Sequence, residues 1–375
     1  MLKTEILHVR KPLKPRSNFK FKFGNKIIKY CKQYKYLGLT IDQMLNFEKM
    51  SNSLLAPSSR ALNAIMCKMI KNKGFPHDIY EMLFNACVTS IKDYAHEIIG
   101  FHEYSGATSL HNRALRLYLG VGNSANLCGL RSEMAWLEPR SRTQLKMLSF
   151  YMRLQKMDNT RLTKQIFLYD QNFCSENQDK TCWSTEVNKI LTRNNLLFSI
   201  NNYQPKLGIQ ILHDSLLKKD LVVFRNNCLS ATKLRTYNTL FSPFVPHLTT
   251  VKFTRLCIPF IVRKRLAQLR LGVLPLKIET DRYLKIPASE RHCTQPKCRN
   301  TTDRQENKLV EDERHFMLHC NQYLNLRQHL YSSVPTPNFE QLSDNDKFIY
   351  LLTNDSVSRL VGQFIVNAFD VRICN

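Results

Sequence analysis

The sequence predicts a mainly α-helical protein with a small antiparallel β element at its N-terminus. Two patterns predict this fold class: apolar residues alternate with lysines in the first fifty residues, and they recur at helical spacing afterwards. The 375 residues are 43% hydrophobic, which is enough to bury one large core or two to three smaller ones. This composition excludes wholesale disorder.

The N-terminal β element is predicted from alternating aromatic residues around a turn signal. Phe19, Phe21 and Phe23 alternate with lysines, and Gly24-Asn25 separates them from Ile27-Ile28, a pattern typical of a hairpin. Residues 34–42 are predicted to form one further strand. Gly38 falls inside that predicted strand, where a glycine often marks close approach of another backbone.

From about residue 49 the apolar spacing becomes helical. The predicted helices cover about 49–74, 77–99, 106–119, 124–135, 140–157, 160–168, 183–194, 213–232, 254–270 and 346–370. Polar, turn-rich composition at 170–182 and two prolines within 240–250 predict linkers. The predicted segments are 1–48, 49–169, 170–250 and 251–375.

The charge balance indicates a polyanionic partner. Lysine and arginine number 55 against 30 acidic residues, so the net charge is 55 − 30 = +25, and the pI is about 9.7. Phosphate backbones relieve the self-repulsion of such a chain, and their binding depends strongly on salt. A basic surface that only confers solubility is the alternative.

Hydropathy predicts an intracellular protein, nuclear or cytoplasmic. No apolar run reaches the roughly 18–20 residues that span a bilayer, and the N-terminus has no apolar stretch of signal-peptide length. The sequence therefore predicts no membrane partner and no secretion, and it leaves the oligomeric state open. Isolated cysteines such as Cys67, Cys87 and Cys257 are expected to be buried free thiols in a reducing compartment.

The strongest chemical signal is Cys293-x4-Cys298-x16-His315-x4-Cys320. Two close pairs of sulfur and imidazole ligands joined by a loop predict one tetrahedral, structural zinc site. The four-residue gap in the first pair is wider than the usual two, so three free cysteines near an incidental histidine remain the alternative.

Neighbouring residues bear on the same predicted site. His292 and His319 are rival ligands that the spacing alone does not exclude. The carboxylates of Glu311, Asp312 and Glu313 are expected to orient the imidazole of the ligand histidine through a hydrogen bond.

A second signal lies in the N-terminal β segment, where Tyr30, Tyr34 and Tyr36 alternate with Lys29, Lys32 and Lys35. Aromatic faces beside ammonium groups suit single-stranded or heteroduplex nucleic acid. A strand with one apolar face and one solvated lysine face is the alternative.

The chain contains no Asp-Asp pair for two-metal nucleotidyl transfer, no phosphate-binding glycine loop and no His-Glu-x-x-His helix. The serines lack a nucleophile-elbow context. The sequence therefore nominates no complete active site.

Several motifs, in their order along nearly the whole chain, resemble the part of non-LTR (LINE-type) retrotransposon reverse transcriptases that follows the catalytic palm. The resembling segments are Lys3-Thr4-Glu5-Ile6-Leu7, Tyr36-Leu37-Gly38-Leu39-Thr40-Ile41-Asp42 (primer grip), Arg60-Ala61-Leu62 (thumb), Asn112-Arg113-Ala114-Leu115-Arg116 with Leu119-Gly120, Met134-Ala135-Trp136-Leu137-Glu138-Pro139 (the tryptophan turn), Lys233-Leu234-Arg235-Thr236-Tyr237, Leu269-Arg270-Leu271-Gly272, and the Cys/His box with Arg291 and Arg327.

The resemblance implies roles for particular residues. Tyr36, Leu37 and Gly38 would position the primer 3′ end through backbone contacts, and Lys3 would lie near the phosphates of the incoming nucleotide. The helices after residue 49 would form a thumb-like region on an RNA–DNA template–primer, and the Cys/His box a zinc-knuckle-like module.

Three departures from the family pattern qualify these expectations. The chain lacks the aspartate-bearing palm, so magnesium and polymerase activity are expected only with that missing part, and this chain alone is expected to be inactive. The first cysteine gap is wide, and Ala135 stands where the family has a glycine. A non-enzymatic, zinc-dependent nucleic-acid-binding host protein derived from such an element, or an unrelated helical scaffold, are the alternatives.

Overall fold

The computed structural model describes residues 4–11, 13–177, 182–196, 205–240, 252–298 and 308–372. The protein is mainly helical with a small antiparallel β element at its N-terminus. This confirms the predicted helical class and the predicted N-terminal β element. Lys3 and most of the predicted 240–250 linker lie outside the described residues. Within the described residues, no helix combines the length and apolar composition that crossing a bilayer requires.

The described residues up to Asp42 contain six short strands. They are β1 (Ile6–Leu7), β2 (Lys22–Phe23), β3 (Lys26–Ile27), β4 (Tyr30–Cys31), β5 (Gln33–Tyr36) and β6 (Leu39–Asp42). β2 and β3 pair antiparallel across the Gly24-Asn25 turn, which confirms the predicted hairpin. β1 and β4 pair in parallel.

The predicted single strand over residues 34–42 is wrong, because the chain reverses in its middle. β5 and β6 form an antiparallel hairpin in which Tyr36 pairs with Leu39, and the turn between them is Leu37-Gly38. Both turn residues have positive φ, 46° and 90°, as a tight two-residue hairpin turn requires. A Cβ at position 38 would meet nothing within 4 Å. The glycine is therefore explained by its positive φ and not by the close approach of another backbone.

Eighteen α-helices of the described residues follow. They are α1 (Phe47–Ser53), α2 (Leu55–Lys71), α3 (His77–Leu83), α4 (Ser90–Lys92), α5 (His96–Ile99), α6 (Ser105–Leu119), α7 (Leu127–Met134), α8 (Pro139–Gln155), α9 (Leu162–Glu176), α10 (Trp183–Arg193), α11 (Pro205–Ser230), α12 (Arg235–Leu240), α13 (Lys252–Arg255), α14 (Phe260–Arg270), α15 (Lys277–Thr280), α16 (Leu324–Ser332), α17 (Asp344–Thr353) and α18 (Asp355–Asp370).

Several predicted helix boundaries are wrong in detail. The helix predicted over 77–99 is broken by a π-helical turn, Phe84–Thr89, and by Ala95, which has φ 63°. α9 runs through Glu176, so the predicted 170–182 linker begins as helix. The helix predicted over 346–370 is two helices because Asn354 ends α17 and caps α18, accepting a hydrogen bond from Ser356 N at 3.0 Å.

The chain divides into two compact units that interleave along the sequence. The first comprises Met1–Ile65, Met82–Asn112 and Leu137–Leu216, and the second comprises Met66–Glu81, Arg113–Trp136 and Leu217–Asn375. Whether the four consecutive segments proposed from sequence behave as domains stays a prediction.

In the second unit, helices pack at close range around a buried ion pair. A Cβ at Gly362 would lie 2.4 Å from Val262 Cγ1, so α18 crosses α14 where only glycine fits. At the end of α14, Arg270 Nε donates to buried Glu133 at 2.9 Å, and Tyr237 Oη donates to the same carboxylate. Such a pair is costly to break because the remaining charge would stay buried.

The cysteines do not follow the sequence prediction fully. Cys67, Cys87 and Cys257 are free, but they are exposed rather than buried. Cys174, in the last turn of α9, forms a disulfide with Cys182, which directly precedes α10. This pair lies outside the isolated cysteines for which the sequence predicts free thiols.

Candidate metal centre and nucleic-acid interface

The four residues of the predicted zinc motif lie together in the second unit. Cys293, Cys298, His315 and Cys320 are all buried, and one potential ligand atom from each lies within 4.8 Å of the others. The Cys293 and Cys320 sulfurs are 3.9 Å apart, and Cys298 Sγ is 3.4 Å from His315 Nε2. Two sulfurs of a tetrahedron with roughly 2.3 Å metal–sulfur bonds would lie about 3.8 Å apart. This buried group can hold a metal ion.

Short-range backbone structure positions the first cysteine pair. Cys293 N donates to Leu309 O at 2.9 Å, beside an antiparallel bridge between His292 and Val310. Cys298 ends a turn in which its N–H donates to Gln295 O at 2.8 Å. The turn folds the wide four-residue gap back so that both sulfurs reach the same group.

A five-residue π-helical turn, His315–His319, positions the second pair. Cys320 N donates to His315 O at 2.7 Å, which closes the turn and places both side chains in the centre. The i, i+5 spacing is one π turn, slightly wider than one α-helical turn. π turns often occur at functional sites.

The two rival ligands lie outside the centre. His319 is half-exposed, and its Nε2 lies 3.3 Å from Asp344 Oδ2, so its ring contacts a different helix. His292 is half-buried and contributes backbone pairing to the bridge. Neither belongs to the cluster of four.

The predicted orientation of the imidazole by neighbouring carboxylates is wrong in its details. Asp312 Oδ1 accepts a hydrogen bond from the backbone N–H of His315 at 2.7 Å, so it fixes the turn rather than the ring. Buried Glu313 accepts two hydrogen bonds from Arg235, at 2.5 and 2.9 Å. Burial raises the pKa of Glu313, and the Arg235 guanidinium opposes that rise.

Glu311 links the centre to the segment that follows the last helix. Arg372 donates to both of its carboxylate oxygens, at 2.7 and 2.9 Å, and Lys277 N donates at 2.9 Å. Cys293 Sγ lies 3.8 Å from the same carboxylate. Sequence reasoning missed Arg372, since a lone arginine 61 residues from its partner gives no local signal.

Arg327, which the family resemblance includes, braces the same region from the other side. Its guanidinium donates to Met317 O at 3.1 Å and to Cys320 O at 2.5 Å. These carbonyls belong to the end of the π turn, where backbone acceptors otherwise lack helical partners. The arginine therefore holds the ligand-bearing turn in place.

Burial and local contacts also shift the pKa values of two cysteine thiols in the centre. The hydrogen bond with Cys320 and burial raise the pKa of the Cys293 thiol well above its ordinary value. Burial raises the pKa of the Cys298 thiol as well.

Apart from Lys3, which lies outside the described residues, the predicted nucleic-acid-binding residues of the first unit are exposed. Lys29, Lys32 and Lys35 all project into solvent, and no described carboxylate lies within ion-pair distance of them. At the tip of the β5–β6 hairpin, Tyr36 is 59% exposed and Leu37 is 74% exposed.

The aromatic and basic residues of this hairpin do not share a face. Tyr34 and Tyr36 alternate with Lys35 along β5, so by strand geometry they point to the opposite side. Tyr34 and Tyr30 are half-buried, and Tyr30 Oη donates to Phe19 O at 2.8 Å. The structure therefore leaves Tyr36 as the freely accessible tyrosine of the three.

The tryptophan turn adopts a conformation that glycine favours. Ala135 ends α7 with φ 50° and ψ 35°, in the left-handed region. The next residue, Trp136, is almost fully buried and stacks on Tyr80 with centroids 6.0 Å apart. Ala135 therefore adopts the left-handed conformation although it is not a glycine.

Comparisons with protein-family models, with curated proteins and with solved structures find no match to this chain.

Proposed function

We propose that this chain is the nucleic-acid-binding, post-palm part of a non-LTR retrotransposon reverse transcriptase, which holds an RNA–DNA template–primer. The observation that carries the proposal is the uncompensated positive charge of the N-terminal β segment. Residues 6–41 contain ten basic residues and no acidic residue. The basic residues are Arg10, Lys11, Lys14, Arg16, Lys20, Lys22, Lys26, Lys29, Lys32 and Lys35.

The arrangement of this charge favours a phosphate backbone over a compact acidic ligand. The lysines are spread along a surface of short hairpins rather than gathered in a pocket. A polyanion neutralises such a row by displacing condensed counterions, each contact adding to the salt dependence. Asp42, the acid that ends the row, is buried and accepts from Met44 N at 2.9 Å, so it does not neutralise the exposed lysines.

The order of the motifs supports the family within the class of nucleic-acid-binding proteins. The primer-grip-like segment forms a tight hairpin tip with Leu37 exposed, and an exposed backbone turn suits positioning of a primer end. The left-handed Ala135 supports the equivalence of the tryptophan turn. In this proposal, the helices after residue 49 form the thumb-like region.

The same proposal assigns one structural zinc ion to Cys293, Cys298, His315 and Cys320. Three sulfurs and one imidazole nitrogen are ligands that zinc favours, and their separations fit tetrahedral edges. Four protein ligands fill the coordination sphere, so the ion would have a structural role and leave no position for substrate. Its role would be to fix a zinc-knuckle-like module.

Polymerase chemistry does not belong to this chain in the proposal. Two-metal nucleotidyl transfer requires paired carboxylates, and no Asp-Asp pair occurs in the sequence. Magnesium would bind the palm. Primer extension with this chain and magnesium is expected to give no product, and template-dependent synthesis would contradict this assignment.

The test is binding of an RNA template annealed to a DNA primer across a salt series. Substitution of Lys29, Lys32 and Lys35 by glutamine is expected to weaken binding and to reduce the salt slope by roughly two to three, since each lost phosphate contact removes about 0.9. The matched control, Lys218→Gln with Lys219→Gln, removes two exposed lysines of α11, beyond the predicted thumb-like segment 49–169, and is expected to change binding less. Salt-independent binding, or an unchanged slope in the triple variant, would overturn the proposal.

A further inference from the structure

The N-terminal hairpin carries a row of exposed phenylalanines that the proposed function does not use. Phe19 is 64% exposed, Phe21 is 44% exposed and Phe23 is 64% exposed. We call these three residues the phenylalanine strip. Rings this large are normally buried, and three of them in five residues form a surface feature that indicates a partner.

Hairpin geometry places the last two rings of the strip on one face. Phe23 pairs with Lys26 across the β2–β3 ladder, and Ile28 N donates to Phe21 O at 2.9 Å, which continues the ladder by one pair. Residues two apart in a strand project to the same side, so Phe21 and Phe23 share a face. The ring centroids of Phe19 and Phe21 are 4.7 Å apart, so the third ring adjoins the other two.

Cations lie beside these rings. Lys26 is the cross-strand partner of Phe23, and directly paired residues project to the same face. At the other end of the strip, the Arg16 guanidinium lies 5.1 Å from the ring centre of Tyr30, whose ring is 6.2 Å from that of Phe21. Each end of the strip therefore has a positive group adjacent to an aromatic face.

We infer that the phenylalanine strip stacks the unpaired bases of a single-stranded nucleic acid while the neighbouring cations bind its phosphates. Bases present π-faces only where they are unpaired, and stacking on aromatic side chains tolerates any sequence. The positive charge of the surrounding segment favours a nucleic acid over an apolar protein surface as the partner. The strip lies within the ten-cation, acid-free stretch of residues 6–41, which complements a polyanion.

This inference rests on the proposed nucleic-acid binding, but it concerns the unpaired nucleotides of the ligand rather than its duplex. The template–primer duplex is held by its backbone in the proposed function, whereas the strip would bind unpaired nucleotides. The unpaired template beyond the duplex has the required chemistry.

The test compares a fluorescent 20-nucleotide single strand with a 20-base-pair duplex, using the full chain over a salt series. Phe21→Leu with Phe23→Leu keeps the strip apolar and removes two aromatic faces. We expect the double variant to bind the single strand about tenfold more weakly or worse, with an unchanged salt slope and unchanged duplex binding. Tyr169→Leu is the matched control, because Tyr169 is 71% exposed on α9, outside the basic segment.

Cross-linking gives an independent readout that does not depend on variant folding. A single strand containing 5-iodouracil is expected to yield, after irradiation, a cross-linked peptide that contains a residue of the strip. Cross-links that map only elsewhere would overturn the inference, as would single-strand binding of the double variant within twofold of the unmodified chain. Equal weakening on the duplex would also overturn it.

The outcomes separate this inference from the proposed function. If the unmodified chain binds with strong salt dependence but the double variant is unaffected, only the stacking role fails. If the unmodified chain binds neither nucleic acid, both fail, and the strip is then a contact for an apolar protein partner.

Discussion

The Cys/His centre and the N-terminal β segment use basic residues in opposite ways. Around the centre, arginines are paired with buried carboxylates, as in Arg372 with Glu311 and Arg235 with Glu313. In the β segment, exposed lysines have no carboxylate partner among the described residues. The large net charge is therefore not a uniform property: internal arginines satisfy a folded core, and surface lysines remain available to a ligand.

The contrast predicts different responses to substitution. Removing a group from the centre leaves a buried partner unsatisfied, which costs free energy of folding. Removing a surface lysine changes the interaction with a polyanion and leaves stability nearly constant.

The largest effect is expected from loss of a metal ligand. Cys298→Ser is expected to abolish stoichiometric zinc, from about one ion per chain, and to lower the free energy of unfolding by about 5 kcal/mol or more, because metal binding contributes to folding. Metal analysis and thermal denaturation measure the two quantities.

Cys67→Ser is the matched control, since Cys67 is a free, exposed cysteine of the same unit. It is expected to retain zinc and stability. A folded, metal-free preparation of the unmodified chain would refute the zinc assignment.

An intermediate effect is expected at the carboxylate beside the centre. Glu311→Gln leaves the Arg372 guanidinium buried without its charge partner, which is expected to cost about 3 kcal/mol. Zinc affinity is expected to fall by roughly 10–100-fold, because groups behind the ligands orient them. A competitive chelator titration checks the affinity.

Glu340→Gln removes an exposed carboxylate of the same unit and is expected to change neither quantity. If Glu311→Gln keeps wild-type zinc affinity while losing stability, Glu311 contributes to packing and not to the metal centre.

The smallest effect is expected at the exposed hairpin turn. Gly38→Ala is expected to weaken the β5–β6 hairpin by about 1–2 kcal/mol, because the residue has φ 90° and L-residues disfavour this region. Amide hydrogen exchange of residues 39–42 measures local opening.

Gly122→Ala is the control, since its Cβ would also meet nothing within 4 Å and its φ is not in the left-handed region. Equal protection of the hairpin in the Gly38 variant and the unmodified chain would show that the turn does not depend on glycine.

Local patterns predicted the fold class and the four Cys/His residues that lie together in one buried group. Helical spacing identified most helices because their apolar faces are buried, as in α8 and α10. The four residues of this group were identified because a zinc site restricts residue type and spacing together.

Other structural features could not be predicted from patterns of neighbouring residues in the sequence. Residues 34–42 alternate in a manner that suits one long strand, and only the positive φ of Leu37 and Gly38 turns them into a hairpin. The helix break at Ala95 has no glycine or proline to signal it. Glu311 and Arg372 meet through tertiary packing over 61 residues, a distance at which sequence periodicity carries no information.

The pairing of Glu311 with Arg372 also bears on when the centre can form during synthesis. Chains emerge from the ribosome N-terminus first, and contacts between distant residues form only after both are available. The four Cys/His residues are all available once Cys320 has emerged, but the Glu311 carboxylate lacks the Arg372 guanidinium until 52 further residues follow, 372 − 320 = 52. If the centre binds zinc as proposed, nascent chains halted between these points would hold it with Glu311 lacking its charge partner, and the arrival of Arg372 would tighten a site that already exists.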